Sequence, residues 1–166
     1  MTRPSIETSD AKREMLRHTL ATLAYRGGKA LRGAPEDFGA RRFAETSRTP
    51  VEILAHIGDL LEWACWLAEG QHKWSDDAPK SWAEEVRRFY EGVAKLDTRL
   101  ASGRPLGCEP EKLFQGPIAD ALTHVGQINM LRRMAGSPVR GENYFRAEIA
   151  RGHVGDGQSD RRVEFD

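Results

Sequence analysis

The sequence predicts an all-α fold, an antiparallel four-helix bundle. Four segments place apolar residues three and four positions apart, the spacing of one face of an α-helix. Glycine- and proline-rich connections separate these segments. No stretch long enough for a β-strand alternates polar and apolar residues. Four amphipathic helices joined by medium loops are typical of a bundle. We assign residues 1–150 to one bundle domain and expect the glycine- and charge-rich residues 151–166 to form a flexible tail.

The first predicted helix spans residues 9–32, where leucines recur at helical spacing. Gly27 and Gly28 weaken helix propensity, so we expect a kink or an end at these positions. The connection that follows, residues 33–48, is long enough to leave the order of the helices around the bundle open.

The second and third predicted helices span residues 49–69 and 81–102. The second has a wide apolar face that contains one histidine, and the third has an apolar face without polar interruption. Each begins with a capping box, in which a hydroxyl residue and a glutamate three positions later accept hydrogen bonds from each other's backbone amides. The two pairs are Thr49 with Glu52 and Ser81 with Glu84.

The fourth predicted helix spans residues 116–135. We expect it to begin at Gly116, because Pro117 suits a first turn that needs no amide, and to stop at Gly136. Gly126 lowers helix propensity and is expected to permit close approach of another helix. Arg132 and Arg133, near the C-terminal end, are expected to be solvated, where cations are favoured; attraction of an anionic substrate is the alternative.

The core is expected to be formed by large apolar residues on the inward faces of the second, third and fourth helices. These are Leu60, Leu67, Trp82, Phe89, Val93, Ile128 and Leu131.

Two histidines interrupt these apolar faces, His56 in the second helix and His124 in the fourth. Asp120 lies one turn before His124, on the same side of its helix. Two imidazoles and a carboxylate form a common ligand set for a divalent metal and leave positions open for water or substrate. Asp59, one turn after His56, is a candidate fourth ligand, a partner that orients a ligand, or a catalytic group. The residues alone leave a structural alternative, in which His56 pairs with Asp120 or His124 meets a backbone carbonyl.

The segments TPVEILAHIGDLLEWA and ALTHVGQINMLRRMAGSPV resemble the DinB-like (YfiT-like) superfamily of four-helix metalloenzymes, over residues 9–136. Members commonly place one metal ligand in the second helix and two, four residues apart, in the fourth. His56, Asp120 and His124 match these positions. The resemblance therefore implies a divalent metal, with zinc, nickel and iron as candidates. Asp120 departs from the histidine of many members; its carboxylate is able to ligate but can change the metal or weaken binding.

The resemblance also implies an activity. Relatives include S-transferases and isomerases that use low-molecular-weight thiols, and others are described as hydrolases. We therefore expect a metal-dependent enzyme that activates water or such a thiol toward a small-molecule substrate. A non-catalytic interaction module and a metal-binding protein without turnover are the alternatives. Relatives often pair, so a homodimer is expected, with Trp66 or Trp74 covering the interface.

Composition restricts the remaining classes. The 166 residues are 39% hydrophobic and 30% charged, which fits one globular domain. Lys+Arg and Asp+Glu both number 25, and this balance argues against nucleic acid as an obligate partner. The sequence has no signal-peptide pattern and no apolar run long enough to cross a membrane, so a cytoplasmic location is expected. Cys65 and Cys108 are expected to be reduced thiols.

Overall fold

The computed structural model describes residues 6–166, with side chains from Asp10 onward. Helices dominate this part of the chain, which confirms the all-α class. The long helices are α1 (Ile6–Leu31), α2 (Pro50–Ala68), α3 (Trp82–Ala101) and α5 (Ala119–Met134), and a short helix α4 (Pro110–Leu113) precedes α5. Two short strands, β1 (Gly141–Glu142) and β2 (Glu164–Phe165), pair near the C-terminus.

The long helices share one apolar core. Both α1 and α2 pack against α3 and against α5, and residues of all four contribute buried side chains to a single cluster. Within the described residues, no helix combines the length and apolar character needed to cross a membrane.

Both predicted capping boxes are confirmed. At the start of α2, the amide of Thr49 donates to Glu52 Oε2 over 2.6 Å, and the amide of Glu52 donates to the Thr49 hydroxyl over 3.4 Å. At the start of α3, Ser81 and Glu84 exchange the same pair of bonds. These bonds satisfy backbone amides that a helix N-terminus leaves free. Each helix start could therefore be predicted from a segment of four consecutive residues.

The predicted start of the fourth helix at Gly116 is wrong. Helical backbone begins at Pro110 and runs through a π-helical turn, Phe114–Ile118, into α5. Pro117 lies inside this turn. Because proline has no amide to donate to the preceding turn, the chain widens locally, and π-helical turns accommodate such a loss. The stop is where we expected it, since Gly136 follows α5 with a φ of 74°.

The predicted core is correct for five of its residues. Leu60, Leu67, Phe89, Val93 and Ile128 are buried. Trp82 and Leu131 are only half-buried and pack against the margin of the core, which corrects their assignment.

The edge of the core near Trp82 is closed by the long connection between α1 and α2. Its Phe38 is fully buried in a short 3₁₀ turn and meets the Trp82 ring edge to face, with ring centroids 5.4 Å apart. A residue outside the four long helices is thus fully buried as part of the core.

The two central glycines do the opposite of what we expected. Gly27 does not end α1; a Cβ built there would lie 2.5 Å from the Phe89 ring, so the glycine admits that ring against the helix. Gly126 has open space where a side chain would lie, so the predicted close approach at this position is wrong.

Arg132 is buried, with 4% of its surface exposed, which contradicts the expected solvated position. Its guanidinium donates to the carbonyl oxygens of Ala30, Arg32 and Gly33 at distances between 2.8 and 3.2 Å. The last carbonyls of a helix have no partner within it. Arg132 of α5 therefore caps the C-terminal end of α1.

The chain beyond α5 returns to α1. Glu142 is buried and pairs with Lys29 over 2.8 Å, and it also accepts a 2.5 Å hydrogen bond from the Tyr25 hydroxyl. Glu164 of β2 lies 2.8 Å from the same Lys29 ammonium. The segment expected to be a flexible tail is therefore joined to the helices through a strand pair and a buried ion pair.

Candidate metal centre

The structure brings together the three side chains predicted as metal ligands. His56 projects from α2, and Asp120 and His124 project from successive turns of α5. The Nε2 atom of His124 lies 3.4 Å from Asp120 Oδ1, and the Nε2 atom of His56 lies 3.7 Å from Asp120 Oδ2. One ligand atom from each residue lies within 4.8 Å of the other two.

A hydrogen bond to Gln127 orients His124. The Gln127 side-chain oxygen lies 2.7 Å from Nδ1 of His124. An amide oxygen only accepts hydrogen bonds, so this contact places the proton on Nδ1. The lone pair of the neutral ring is then on Nε2, the nitrogen that faces Asp120. Ligand histidines in metal sites commonly donate their other ring proton to an oxygen in this way.

The three side chains lie at the surface end of the helix interface. The exposed fractions are 12% for His124, 21% for His56 and 47% for Asp120. The Asp120 carboxylate is therefore not buried, and it is more exposed than the rings of the two histidines. An exposed carboxylate next to two sheltered imidazoles leaves the group accessible from solvent.

The surroundings of His56 favour its neutral form. Burial is the main cause that lowers the pKa of His56, and the neighbouring His124 ring and the charge of Arg48 act in the same direction. Asp120 works against them. The Trp74 ring, from the loop after α2, stands 5.7 Å from the His56 ring between centroids and shelters it on one side. Neutral imidazole is the form that binds a metal.

Asp59 does not belong to this group. It is buried, and its carboxylate accepts a 2.5 Å hydrogen bond from Arg88 of α3. Burial raises the pKa of Asp59, and the bond from Arg88 opposes that rise. The candidate fourth ligand or catalytic group thus joins α2 to α3 by a buried ion pair.

A cavity of about 570 Å³ adjoins the two histidines. Polar side chains at its lining are Gln127, Ser47 and Arg48. The apolar part of the lining is formed by Ile53, Met130 and Leu131. The sequence carried a signal for Gln127 and Leu131, because positions three and seven after His124 share its face of α5. It carried none for Ser47 and Arg48, which lie in an irregular connection.

The donor set fits a divalent metal. Two donors held about 2.0–2.2 Å from one tetrahedral ion are separated by roughly 3.3–3.6 Å. The distances of 3.4 Å from His124 and 3.7 Å from His56 are close to that value, but they end on the two different oxygens of Asp120, and the three donor atoms together lie within 4.8 Å of one another. Two imidazoles with one carboxylate suit zinc, nickel or iron.

The two cysteines offer no comparable site. Both are free, and burial raises the pKa of the Cys65 thiol to about 11. Burial also raises the pKa of Cys108. Both thiols therefore remain protonated near neutral pH, and protonated thiols are poor nucleophiles.

Comparison of the chain with family models, with curated proteins and with solved structures finds no match.

Proposed function

We propose that this protein is a metal-dependent enzyme of the DinB-like kind, in which His56, Asp120 and His124 hold a divalent ion. The observation that carries the proposal is their convergence from two helices at the margin of a cavity of about 570 Å³. Cavities of this size are typical of small-molecule sites. A small-molecule substrate is the partner we propose, without nucleic acid or membrane.

The proposed architecture is an antiparallel four-helix bundle. It is supported by the packing of α1 and α2 against both α3 and α5 around one core. In such bundles, metal sites are built from side chains on facing helices. The pair α2 and α5, which carries the three candidate ligands, is one of these packed pairs.

A divalent ion in such a site lowers the pKa of water or of a thiol, which would support either a hydrolase or a low-molecular-weight thiol S-transferase. The roles of the chain's own residues follow from their contacts. Gln127 holds the proton on Nδ1 of His124 and so directs Nε2 to the site. Trp74 shields His56 from water. The exposed Asp120 carboxylate leaves one side of the site open to a co-substrate.

The test is a calorimetric titration of the metal-free protein with zinc, nickel and manganese. We expect one ion per chain, with affinity reduced at least about tenfold in His56→Ala, Asp120→Ala and His124→Ala. His72→Ala is the matched control, because this histidine is exposed in the loop after α2. Equal binding by the wild type and all three variants would reject the site.

Activity separates the proposal from its alternatives. Zinc-loaded protein is assayed with an activated ester for hydrolysis, and with a low-molecular-weight thiol and a model electrophile for transfer. Turnover that is lost in Asp120→Ala supports an enzyme. Stoichiometric binding without turnover of either kind supports a metal-binding protein, and the absence of binding supports an interaction module.

We propose that the protein is a homodimer and that it is located in the cytoplasm. Trp74 is 48% exposed, as an interface residue of a free protomer would be. Sedimentation over a wide concentration range tests the dimer, and a single monomeric species throughout would exclude it.

A further inference from the structure

We infer that the cavity beside the candidate metal centre binds a small amphipathic carboxylate, with Arg48 holding the carboxylate and α5 supplying the apolar contact. The inference rests on the proposed function for the reaction of this molecule, but not for its binding.

The first observation is the position of Arg48. It lines the same cavity as His56 and His124. An anion bound to Arg48 would therefore lie in the cavity that the two histidines of the candidate centre also line.

The second observation is that Arg48 is available. Among the side chains that the structure describes, no carboxylate forms an ion pair with Arg48, although four acidic residues line a second pocket together with it. The nearby Arg42, in contrast, lies 3.7 Å from Glu52. A guanidinium offers planar paired donors that match a carboxylate. The chain has no net charge, so attraction of an anion to this cavity would arise locally.

The third observation is the apolar wall that the same cavity presents. Three apolar side chains form this wall: Ile53 is buried in the protein, Leu131 is half-buried, and Met130 is 59% exposed. Methionine side chains adapt to irregular ligands. An alkyl or aromatic group next to the carboxylate would cover this surface, and neither a purely polar anion nor a cation would satisfy both parts of the cavity.

The orientation of the bound carboxylate follows from the positions of these side chains. Its charged end would lie at the connection before α2, where Ser47 adds a hydroxyl, and its apolar part would lie along α5. The carbon atoms between them would face His56 and His124. A short-chain carboxylate with its reacting carbon near the charged group fits this arrangement.

The experiment compares three probes of equal length: hexanoate, hexanamide and hexylamine. Binding is measured by NMR titration of the full chain, once without metal and once with zinc. We expect hexanoate to bind about tenfold more tightly than hexanamide, because hydrogen bonds to a charged group are the strong ones. Hexylamine should bind most weakly, since its charge opposes Arg48.

Arg48→Gln should remove the preference for hexanoate and leave hexanamide binding unchanged, and Arg48→Lys should retain part of it. Arg133→Gln, which replaces an exposed arginine outside the cavity, is the control and should bind as the wild type does. The preference should be present without metal, so a failure of the metal site would leave this result intact.

Two outcomes would overturn the inference. In the first, the three probes bind equally, or Arg48→Gln keeps the preference. In the second, hexanoate binds only with zinc and independently of Arg48, which would mean that the carboxylate binds the ion directly.

Discussion

The side-chain oxygen of Gln127 lies 2.7 Å from Nδ1 of His124, one helical turn away on α5. Because this contact directs Nε2 toward Asp120, we expect Gln127→Ala to weaken zinc binding by about 10–100-fold, the usual effect of removing such a partner. Calorimetry on metal-free protein measures this change. Thr123→Ala is the control, since its hydroxyl bonds only to its own helix, at the carbonyl of Ala119. Wild-type affinity in Gln127→Ala would show that the contact does not orient the ligand.

The lowered pKa of His56 predicts a pH dependence of folding stability. In the unfolded chain, His56 binds a proton near its ordinary pKa of 6.5. In the folded chain, burial, His124 and Arg48 lower this pKa, so protonation requires a lower pH. The unfolded state then binds more protons than the folded state on acidification, so the free energy of unfolding falls. We expect metal-free wild type to lose more stability between about pH 7.5 and pH 5.5 than His56→Gln does. Urea denaturation at both pH values measures the difference.

His72→Gln provides the control for this experiment, because His72 is exposed in the loop after α2. Its stability should fall with pH as that of the wild type does. If His56→Gln and the wild type showed the same pH dependence of stability, the lowered pKa of His56 could not be its cause.

The two central glycines predict opposite responses to alanine. Gly27→Ala places a methyl group against the Phe89 ring and should lower the free energy of unfolding by about 1–3 kcal/mol, as overpacking does. Gly126→Ala meets open space and should raise it by about 0.5–1 kcal/mol through helix propensity. Chemical denaturation of both variants tests the pair, and a stabilising Gly27→Ala would mean that the ring moves away without cost.

The ion pair between Lys29 and Glu142 predicts a large effect on stability. Lys29→Met leaves a buried carboxylate without its cation and should lower the free energy of unfolding by about 3–5 kcal/mol. The double variant Lys29→Met with Glu142→Leu should recover part of this loss, since apolar residues can replace a buried pair. Lys95→Met, at an exposed position of α3, is the control. A double variant less stable than Lys29→Met would argue that the two charges do not act as a pair.

Several features of the fold were predictable because they depend on neighbours in sequence. Thr49 and Glu52 define the start of α2 through bonds across three residues, and periodicity placed Phe89 and Ile128 in the core. The same reasoning placed Asp120 and His124 on one face of one helix. Two failed expectations have an identified cause: a contact with the end of α1 buries Arg132, and the missing amide of Pro117 changes the helix locally. Pro117, which we took for a helix start, is absorbed by a π-helical turn that α4 leads into.

Helical periodicity and local hydrogen bonds act over three or four positions. The class of fold, the helix starts marked by capping boxes and the residue types of the candidate centre could therefore be predicted from the amino-acid sequence. The packing of the helices brings His56 to Asp120 and places Arg48 at the neighbouring cavity. It also pairs Asp59 with Arg88 and places Arg132 at the C-terminal end of α1. These contacts join residues far apart in sequence, and their partners depend on how whole helices pack, a property that no local pattern encodes.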